Sequence, residues 1–181
     1  MDVIKVNEEV LYPEPGVVRV GRDDVGMLKE QANRNRRQRI RLCAHSDVDD
    51  TLHEMFIVHK RDTYVRPHKH LNKSESTHII EGSVDMVMFD EDGQITDVCR
   101  LGDYGSGLQF FHRISEPTFH TLLINSETLV FHEATNGPFR PPDTVWATWA
   151  PDIDDDNGAA AYVDRLRKRV SDSVMKRARD Q

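Results

Sequence analysis

The sequence is poor in cysteine and contains no long apolar segment. Cys43 and Cys99 are the only cysteines among 181 residues. Two cysteines are too few for a disulfide framework, and we expect both thiols to be reduced and structural. No apolar run approaches the roughly 20 residues that span a bilayer. The N-terminus is acidic where a secretory signal has a basic start and a long apolar run. These absences predict a cytoplasmic protein that does not enter a membrane.

Basic residues are outnumbered as well, with 24 Lys and Arg against 31 Asp and Glu and a net charge of −7. This charge has the wrong sign for general attraction to nucleic acid or to an anionic membrane, so neither is an expected partner. A local exception is the segment RNRRQRIR, which is rich in arginine. If its last two arginines, Arg39 and Arg41, lie on one strand, they share a face and could bind a phosphate group bidentately.

The chain divides by its residue pattern into three segments. Residues 1–38 are an N-terminal extension with a short predicted helix, DDVGMLKEQANRNRR, capped by Asp23 or Asp24. Residues 39–151 contain short β-type runs separated by turn residues, which is typical of an all-β sandwich or barrel. The Asp-Gly pair that ends DEDG predicts a hairpin. The predicted strand runs are HEMFIVHK, THIIEG, SVDMVMF, QITDVCRL, HTLLIN and TLVFHEA.

The third segment, residues 152–181, combines an acidic linker with a C-terminal helix. Apolar residues recur at helical spacing, which predicts an amphipathic helix. The apolar stripe consists of Val163, Leu166, Val170, Val174 and Ala178, and the basic positions are Arg165, Lys168, Arg169, Lys176, Arg177 and Arg179. We expect this helix to pack on the β domain or across a dimer, with binding to an acidic partner as the alternative. The linker is not a helix-flanked calcium loop, because Asn157 and Val163 replace the required glycine and glutamate.

The most informative segment is DTYVRPHKHLNKSESTHIIEG, which contains two histidines separated by one residue and a nearby glutamate. Because alternate side chains of a strand share a face, His68 and His70 can both point into a barrel interior. Glu75, reached through a short loop, can supply a carboxylate from the adjoining run. Two imidazoles and a carboxylate suit a divalent first-row metal ion and leave positions open for water or substrate.

A fourth ligand should come from a distant strand. His120 is the best candidate because it begins the run HTLLIN just after a proline-containing turn. The rival histidines of the β region are His78, His112 and His132. A lone histidine there is more often structural, and an odd spacing from Glu75 places His78 on the opposite face. The predicted ligands of one divalent metal ion are therefore His68, His70, Glu75 and His120.

This spacing resembles the first motif of the cupin superfamily, in which a glycine, an HxH pair, a glutamate and a closing glycine form half of a metal site. The matching positions are His68, His70, Glu75 and Gly82. Asp62 stands in the place of the opening glycine. The second cupin motif matches at His120, although Ser115 and Pro117 replace the proline and glycine of its turn. The resemblance implies a single cupin jelly-roll β-barrel that holds a metal ion.

Further segments, in matching order, resemble the WbuC-type cupin metalloproteins, which are associated with bacterial surface-polysaccharide gene clusters. These segments are RIRLCAH, TYVRPHKH, MVMFDEDG, FHTLL, LVFHEATNGPF and WAP. The resemblance implies a metal-containing jelly roll with a short N-terminal extension, assembled as a homodimer. It brings no settled reaction with it, and it does not account for the C-terminal helix.

Three functions are compatible with the predicted site. The first is a metal-dependent isomerase, epimerase or lyase that acts on a sugar or nucleotide-sugar intermediate of surface-polysaccharide biosynthesis, since a bound ion polarises carbonyl and hydroxyl groups or lowers the pKa of water. The second is an iron-dependent dioxygenase. The third is a non-catalytic binding or sensing module. Imidazole and carboxylate accept zinc, iron, manganese or nickel alike, so the sequence does not identify the metal.

The sequence also does not identify catalytic residues, although several side chains near the motif are candidates. Residues that could transfer a proton or anchor a substrate are Tyr64, Arg66 and Glu81. We expect an aromatic group to cover one end of the barrel by packing, with sugar stacking as the alternative. This group consists of Phe139, Trp146 and Trp149.

Overall fold

The computed structural model describes the backbone of residues 2–179 and the side chains of residues 2–173. This part of the chain contains twelve strands and two α-helices. The strands are β1 Val3–Lys5, β2 Val10–Pro13, β3 Arg39–Cys43, β4 Leu52–Lys60, β5 His68–His70, β6 Glu75–Glu81, β7 Ser83–Phe89, β8 Ile95–Gly102, β9 Phe111–Ile114, β10 Phe119–Ile124, β11 Thr128–Asn136 and β12 Thr144–Trp146. The helices are α1 Arg22–Arg34 and α2 Asp156–Arg179.

The strands form two sheets. The larger sheet has seven strands in the order β1-β2-β3-β4-β11-β6-β9, and the smaller has five in the order β12-β5-β10-β7-β8. Neighbouring strands are antiparallel except for β2 and β3, which are parallel. Each predicted strand run forms a strand. The predicted hairpin joins β7 to β8, and its Gly93 adopts a positive φ of 78°, which glycine tolerates without strain.

The two sheets face each other as a β-sandwich, so the all-β prediction is confirmed. The prediction of a closed barrel is wrong, because no strand of one sheet pairs with a strand of the other within residues 2–179. The edge strand β8 of the smaller sheet meets the segment before β9 only at the single bridge of Leu101 with Gln109. The hydrogen-bonded ladder therefore does not continue from one sheet to the other.

Buried apolar side chains of both sheets meet in the space between them. Ile57, Ile79, Met86 and Phe131 belong to this cluster and are at most 7% exposed. Burial of a side chain of this size contributes about 1.5–3 kcal/mol, so the cluster holds the two sheets face to face. The polar side chains on the same inner faces are thereby fixed in position.

Each helix covers the outer face of one sheet. Leu28 of α1 is fully buried against the larger sheet, and Leu166 and Val170 of α2 pack on the smaller sheet. The stripe predicted for the C-terminal helix is confirmed through Val170. The remaining residues of the predicted stripe and basic face lie outside the residues whose side chains are described, and they are Val174, Lys176, Arg177, Ala178 and Arg179.

The N-terminal extension contributes β1, β2 and α1. The predicted helix forms, but its predicted caps are wrong, because Gly21 is the N-cap. Asp24 instead accepts a hydrogen bond from the Gly21 N–H at 2.8 Å, the backward contact of a capping box. The division into residues 1–38, 39–151 and 152–181 stays a prediction. Within the described residues, neither helix combines the length and the apolar character that crossing a bilayer would need.

Candidate metal centre

Strand β5 places two imidazoles on one face. His68 and His70 alternate with Lys69, whose Nζ lies 2.5 Å from a Glu91 carboxylate oxygen and 4.5 Å from the centre of the Phe119 ring. Because successive side chains of a strand point to opposite faces, the outward position of Lys69 leaves both histidines facing the space between the sheets. This is the arrangement that the HxH spacing predicts.

Glu75 begins β6, on the opposite sheet. The loop that leads to it is held by Ser74, whose backbone N–H and hydroxyl both donate to the Asn136 side-chain oxygen, at 2.9 and 3.0 Å. Glu75 itself lies opposite Thr135 of β11 in the strand register. The carboxylate is therefore placed by pairing with a strand far away in the sequence.

His120 lies on β10, directly opposite His68 in the antiparallel register. Residues directly opposite each other on neighbouring strands have Cβ atoms about 4.5–5.5 Å apart and share a face. The ring centres of His68 and His120 are 4.6 Å apart. The pairing of β5 with β10 thus adds the third imidazole to the first two.

The four side chains converge on one point. Their ligand-type atoms all lie within 4.8 Å of one another. His70 Nε2 is 3.2 Å from Glu75 Oε2, and His120 Nε2 is 3.6 Å from Glu75 Oε1. Nitrogen and oxygen ligands about 2.0–2.2 Å from a zinc ion lie roughly 3–4 Å from one another. The spacing is therefore of the size that a divalent ion needs.

The far nitrogens of the three rings are hydrogen-bonded. The Nδ1–H of His68 donates to the Arg66 carbonyl oxygen at 2.8 Å, and that of His120 donates to the Thr118 carbonyl oxygen at 2.9 Å. A carbonyl only accepts, so the proton lies on Nδ1 and the lone pair on Nε2, the tautomer that binds a metal. His70 Nδ1 is 3.2 Å from the Thr144 hydroxyl. These contacts orient the rings before any ion binds.

The electrostatics of the cluster favour neutral imidazole beside an ionised carboxylate. Burial, and then the charge of His120, lowers the pKa of His68 to about 3. Burial alone would raise the pKa of Glu75, but its contacts with His120 and His70 outweigh burial and hold the pKa well below the usual range. Burial opposes protonation of His120 too, yet the adjacent Glu75 raises its pKa. Glu75 therefore stays ionised, and its charge favours protonation of His120 over that of His68.

The rival histidines lie elsewhere. His78 is exposed on the outer face, as alternation predicts, and its ring centre is 5.5 Å from that of Phe110. His132 lies 3.6 Å from a Glu54 carboxylate oxygen. His112 is half-buried opposite Thr77 and does not belong to the group. Of the four β-region candidates for the fourth ligand, the structure brings only His120 to the other three side chains.

The cluster opens into a cavity of about 340 Å³ between the sheets, a volume within the usual range for small-molecule sites. Trp146 lines this cavity, and its ring centre is 5.2 Å from that of His68. Arg66 lines it too and forms a 2.5 Å ion pair with Asp152. The four candidate ligands therefore face a space that could contain a substrate.

The other predicted supporting residues lie away from the cavity. Glu81 is exposed and bound to Lys29, and Tyr64 donates a hydrogen bond to the Pro151 carbonyl oxygen at 2.9 Å. Trp149 packs on Phe89 and Phe119, as expected for an aromatic cover. Phe139 is 51% exposed. Of the aromatic group, only Trp146 lies beside the cluster. The three residues predicted to pack together therefore differ: Trp149 packs, Phe139 is exposed and Trp146 lines the cavity.

The cavity residues that were not predicted from the sequence include the titratable His59 and Glu133. Burial, followed by the charges of Arg39 and Arg41, lowers the pKa of His59 to about 3, so this imidazole is neutral at physiological pH. Burial and the charge of Glu75 raise the pKa of Glu133 well above that of an ordinary glutamate. Both residues sit within β-type runs, and alternation alone assigns them an inner face without indicating a cavity there.

Comparison with known protein families gives one match. A family model described as a domain of unknown function, DUF6016, matches residues 20–101. This range contains His68, His70 and Glu75 and ends before His120. No curated protein matches the chain significantly.

Solved structures that are similar to this chain include SO0799 of Shewanella oneidensis and two oxalate decarboxylases. SO0799 is 14% identical, with a TM-score of 0.46, over 57% of this chain and 66% of that chain. A mutant of the Bacillus subtilis enzyme OxdC is 18% identical, with a TM-score of 0.44, over 55% and 25%. The Lactobacillus farciminis enzyme, in a formate complex, is 13% identical, with a TM-score of 0.43, over 54% and 27%. The matched part of this chain thus spans about a quarter of the two oxalate decarboxylase chains.

Proposed function

We propose that this chain is a metal-dependent enzyme that acts on a small polar substrate in the cavity between its sheets. The observation that carries the proposal is the convergence of three imidazoles and one carboxylate, within 4.8 Å, on the wall of that cavity. The ligands of the ion would be His68, His70, Glu75 and His120. A divalent ion at this position polarises carbonyl or hydroxyl groups, or lowers the pKa of a bound water.

The protein's own residues supply orientation and water exclusion. The backbone carbonyls of Arg66 and Thr118 hold the rings of His68 and His120, so little reorganisation is needed when an ion binds. Trp146 forms one wall beside His68, where a flat apolar face suits a sugar ring or a base. Because the cavity lies between the two sheets, its lower dielectric would strengthen electrostatic interactions inside it.

The finer proposal is a WbuC-type cupin that performs isomerase, epimerase or lyase chemistry on a sugar or nucleotide-sugar intermediate of surface-polysaccharide biosynthesis. The motifs shared with those proteins support it. The sandwich would then correspond to their jelly roll, and the protein would work in the cytoplasm with zinc, iron, manganese or nickel. Manganese belongs in the test set, as Bacillus subtilis oxalate decarboxylase has Mn(II) centres.

We also propose a homodimer. Exposed aromatic side chains near the edge strand β9 support a contact with a second copy: Tyr104, Phe110 and Phe111 are 82%, 39% and 52% exposed. Light scattering of the purified full chain measures the mass directly. A mass of one chain across the micromolar range would contradict this assembly.

The functional proposal is tested with protein stripped of metal and reloaded with each candidate ion. Each form is incubated with a panel of sugar nucleotides and sugar phosphates, and both turnover and the shift in melting temperature are measured. The same assays on His120→Gln provide the matched control. Turnover that depends on the ion and on His120 supports the proposal, whereas no turnover and no thermal shift with any compound contradicts it.

Oxygen-dependent chemistry is the competing assignment, since iron(II) bound by imidazoles and a carboxylate with open positions suits it. It is distinguished by oxygen consumption of the iron-loaded protein. An ion bound tightly without turnover or oxygen uptake would instead favour a binding or sensing module.

A further inference from the structure

The cavity has a second polar region, formed by arginines on the larger sheet. Arg39 and Arg41 lie on β3, where Ile40 and Leu42 are buried against α1. Alternation therefore turns the two arginines to the inner face. Arg37, just before the strand, lines the same cavity as these two arginines and as the four candidate metal ligands, which we call the metal-type cluster.

One carboxylate organises two of these arginines. Glu9 accepts from Arg39 Nε at 2.8 Å through one oxygen, and its other oxygen lies 2.8 Å from Arg37 Nε. Both ion pairs use the Nε side of the guanidinium group. Within the described residues, the terminal nitrogens of the two groups form no hydrogen bond. Glu9 thus fixes the two groups and leaves their forked ends available.

Arg41 is not neutralised. Within residues 2–173, no carboxylate lies within 4.0 Å of its guanidinium group, although it lines the cavity. Glu133 also faces the cavity but forms no ion pair with any of the three arginines. Three guanidinium groups therefore share one direct counter-charge, Glu9, in a protein whose net charge is −7. The cluster is positively charged although the protein as a whole is negatively charged. This contrast points to a local role for the arginines, such as binding an anion.

We propose that Arg37, Arg39 and Arg41 form a subsite for an oxyanion of the substrate, a carboxylate or a phosphate, in the same cavity as the metal-type cluster. A guanidinium fork binds either group with two parallel hydrogen bonds. The inference rests on the proposed function in placing the remainder of the substrate beside the ion. It narrows the substrate class to small acidic molecules, such as sugar acids, hydroxy acids and sugar phosphates. Neutral sugars do not belong to this substrate class.

The test measures binding of inorganic phosphate and of malonate by calorimetry, with dimethyl malonate as the uncharged control. Full-length protein is used in both metal-stripped and metal-loaded forms. We compare Arg41→Gln and Arg39→Gln with Arg34→Gln, whose side chain is 78% exposed and pairs with Glu30 on α1. Hydrogen bonds to charged groups predict a loss of at least about tenfold for the first two variants and none for the third. Unchanged melting temperatures show that the variants fold.

Each outcome decides the question. Binding of either anion to metal-stripped protein, weakened in Arg41→Gln and Arg39→Gln alone, supports the subsite, and the better anion identifies the group. Equal affinity in the wild type and both variants overturns it. Anion binding that appears only with metal and ignores the arginines also overturns it, as does binding of neither anion. Failure to bind any metal would contradict the proposed function while the metal-stripped measurement still decides the subsite.

Discussion

Two pairs of neighbouring histidines can be compared within this molecule. The rings of His68 and His70 are 4.9 Å apart at the cavity, and those of His45 and His53 stack at 4.0 Å with an interplanar angle of 11°. His45 Nδ1 lies 3.1 Å from the Glu54 carbonyl oxygen, so this ring too has a backbone partner. Closeness and backbone contact are therefore common to both pairs.

What separates the pairs is convergence with a carboxylate. The rings of His45 and His53 stack nearly parallel, and no third ligand-type group joins them within the described residues. At the cavity, a third imidazole and Glu75 complete the group. The comparison teaches that the number of histidines does not define a metal site, whereas their direction and a nearby negative charge do.

The largest expected effect is the loss of metal affinity when a ligand is removed from the cluster at the cavity. His70→Ala and Glu75→Gln should each lower metal affinity by more than about 100-fold, because loss of a ligand exceeds the 10–100-fold cost of losing its outer hydrogen-bond partner. Competition with a chromogenic chelator measures the affinity. A matched His45→Ala variant should bind as tightly as the wild type, and equal losses in the two regions would break the distinction.

The second effect is the pH dependence of binding. The pKa of His120 is raised by Glu75, so His120 takes up a proton first as the pH falls, and an ion must then displace it. Affinity should decrease by about tenfold per pH unit for each proton displaced once the pH is below this pKa. His68, with a pKa of about 3, does not compete between pH 5 and pH 8. Chelator titrations across that range supply the measurement, and an affinity independent of pH would contradict it.

A smaller effect is expected from the Thr144 hydroxyl. Thr144→Val keeps the shape of the side chain but removes the partner of His70 Nδ1, 3.2 Å away. Loss of such a contact typically costs 10-fold or more in metal affinity, and we expect about 10-fold here. Thr63→Val is the matched control, as its hydroxyl contacts Gln38 at 2.9 Å, outside the cluster. A loss of the same size in both variants would show a general effect on the fold.

The smallest effect on metal binding is expected at the stacked pair of His45 and His53. His45→Ala should destabilise the protein by about 1–3 kcal/mol, because it removes the acceptor of the Glu54 backbone N–H, 3.2 Å away. Metal affinity should not change. Urea denaturation of the metal-stripped variant measures the first quantity, and chelator competition measures the second. A His45→Ala protein of full stability but impaired metal binding would reverse the roles of the two pairs.

The sequence predicts those features that depend on alternation. His68 and His70 share a face because they are two residues apart on a strand, and His78 faces outwards for the same reason. The strand runs and the β7–β8 hairpin follow from composition and from one Asp-Gly pair. Local spacing was sufficient in each case.

Features that depend on long-range packing were not predictable in this way. Trp146 and Trp149 are three residues apart, yet one lines the cavity and the other packs on Phe89. The role of Thr144 depends on the pairing of β12 with β5, and no short-range pattern indicates that pairing. Closure of a barrel is likewise a property of strand pairing between distant segments, and the structure has two sheets instead.

The most direct test of the central claim is X-ray absorption spectroscopy of the protein reloaded with one equivalent of zinc or manganese, combined with the metal content per chain. We expect one ion per chain, with three imidazole nitrogens and one carboxylate oxygen among its ligands, and loss of that signal in Glu75→Gln. Protein that takes up no divalent ion, or an ion whose signal survives in Glu75→Gln and disappears in His45→Ala, would contradict it.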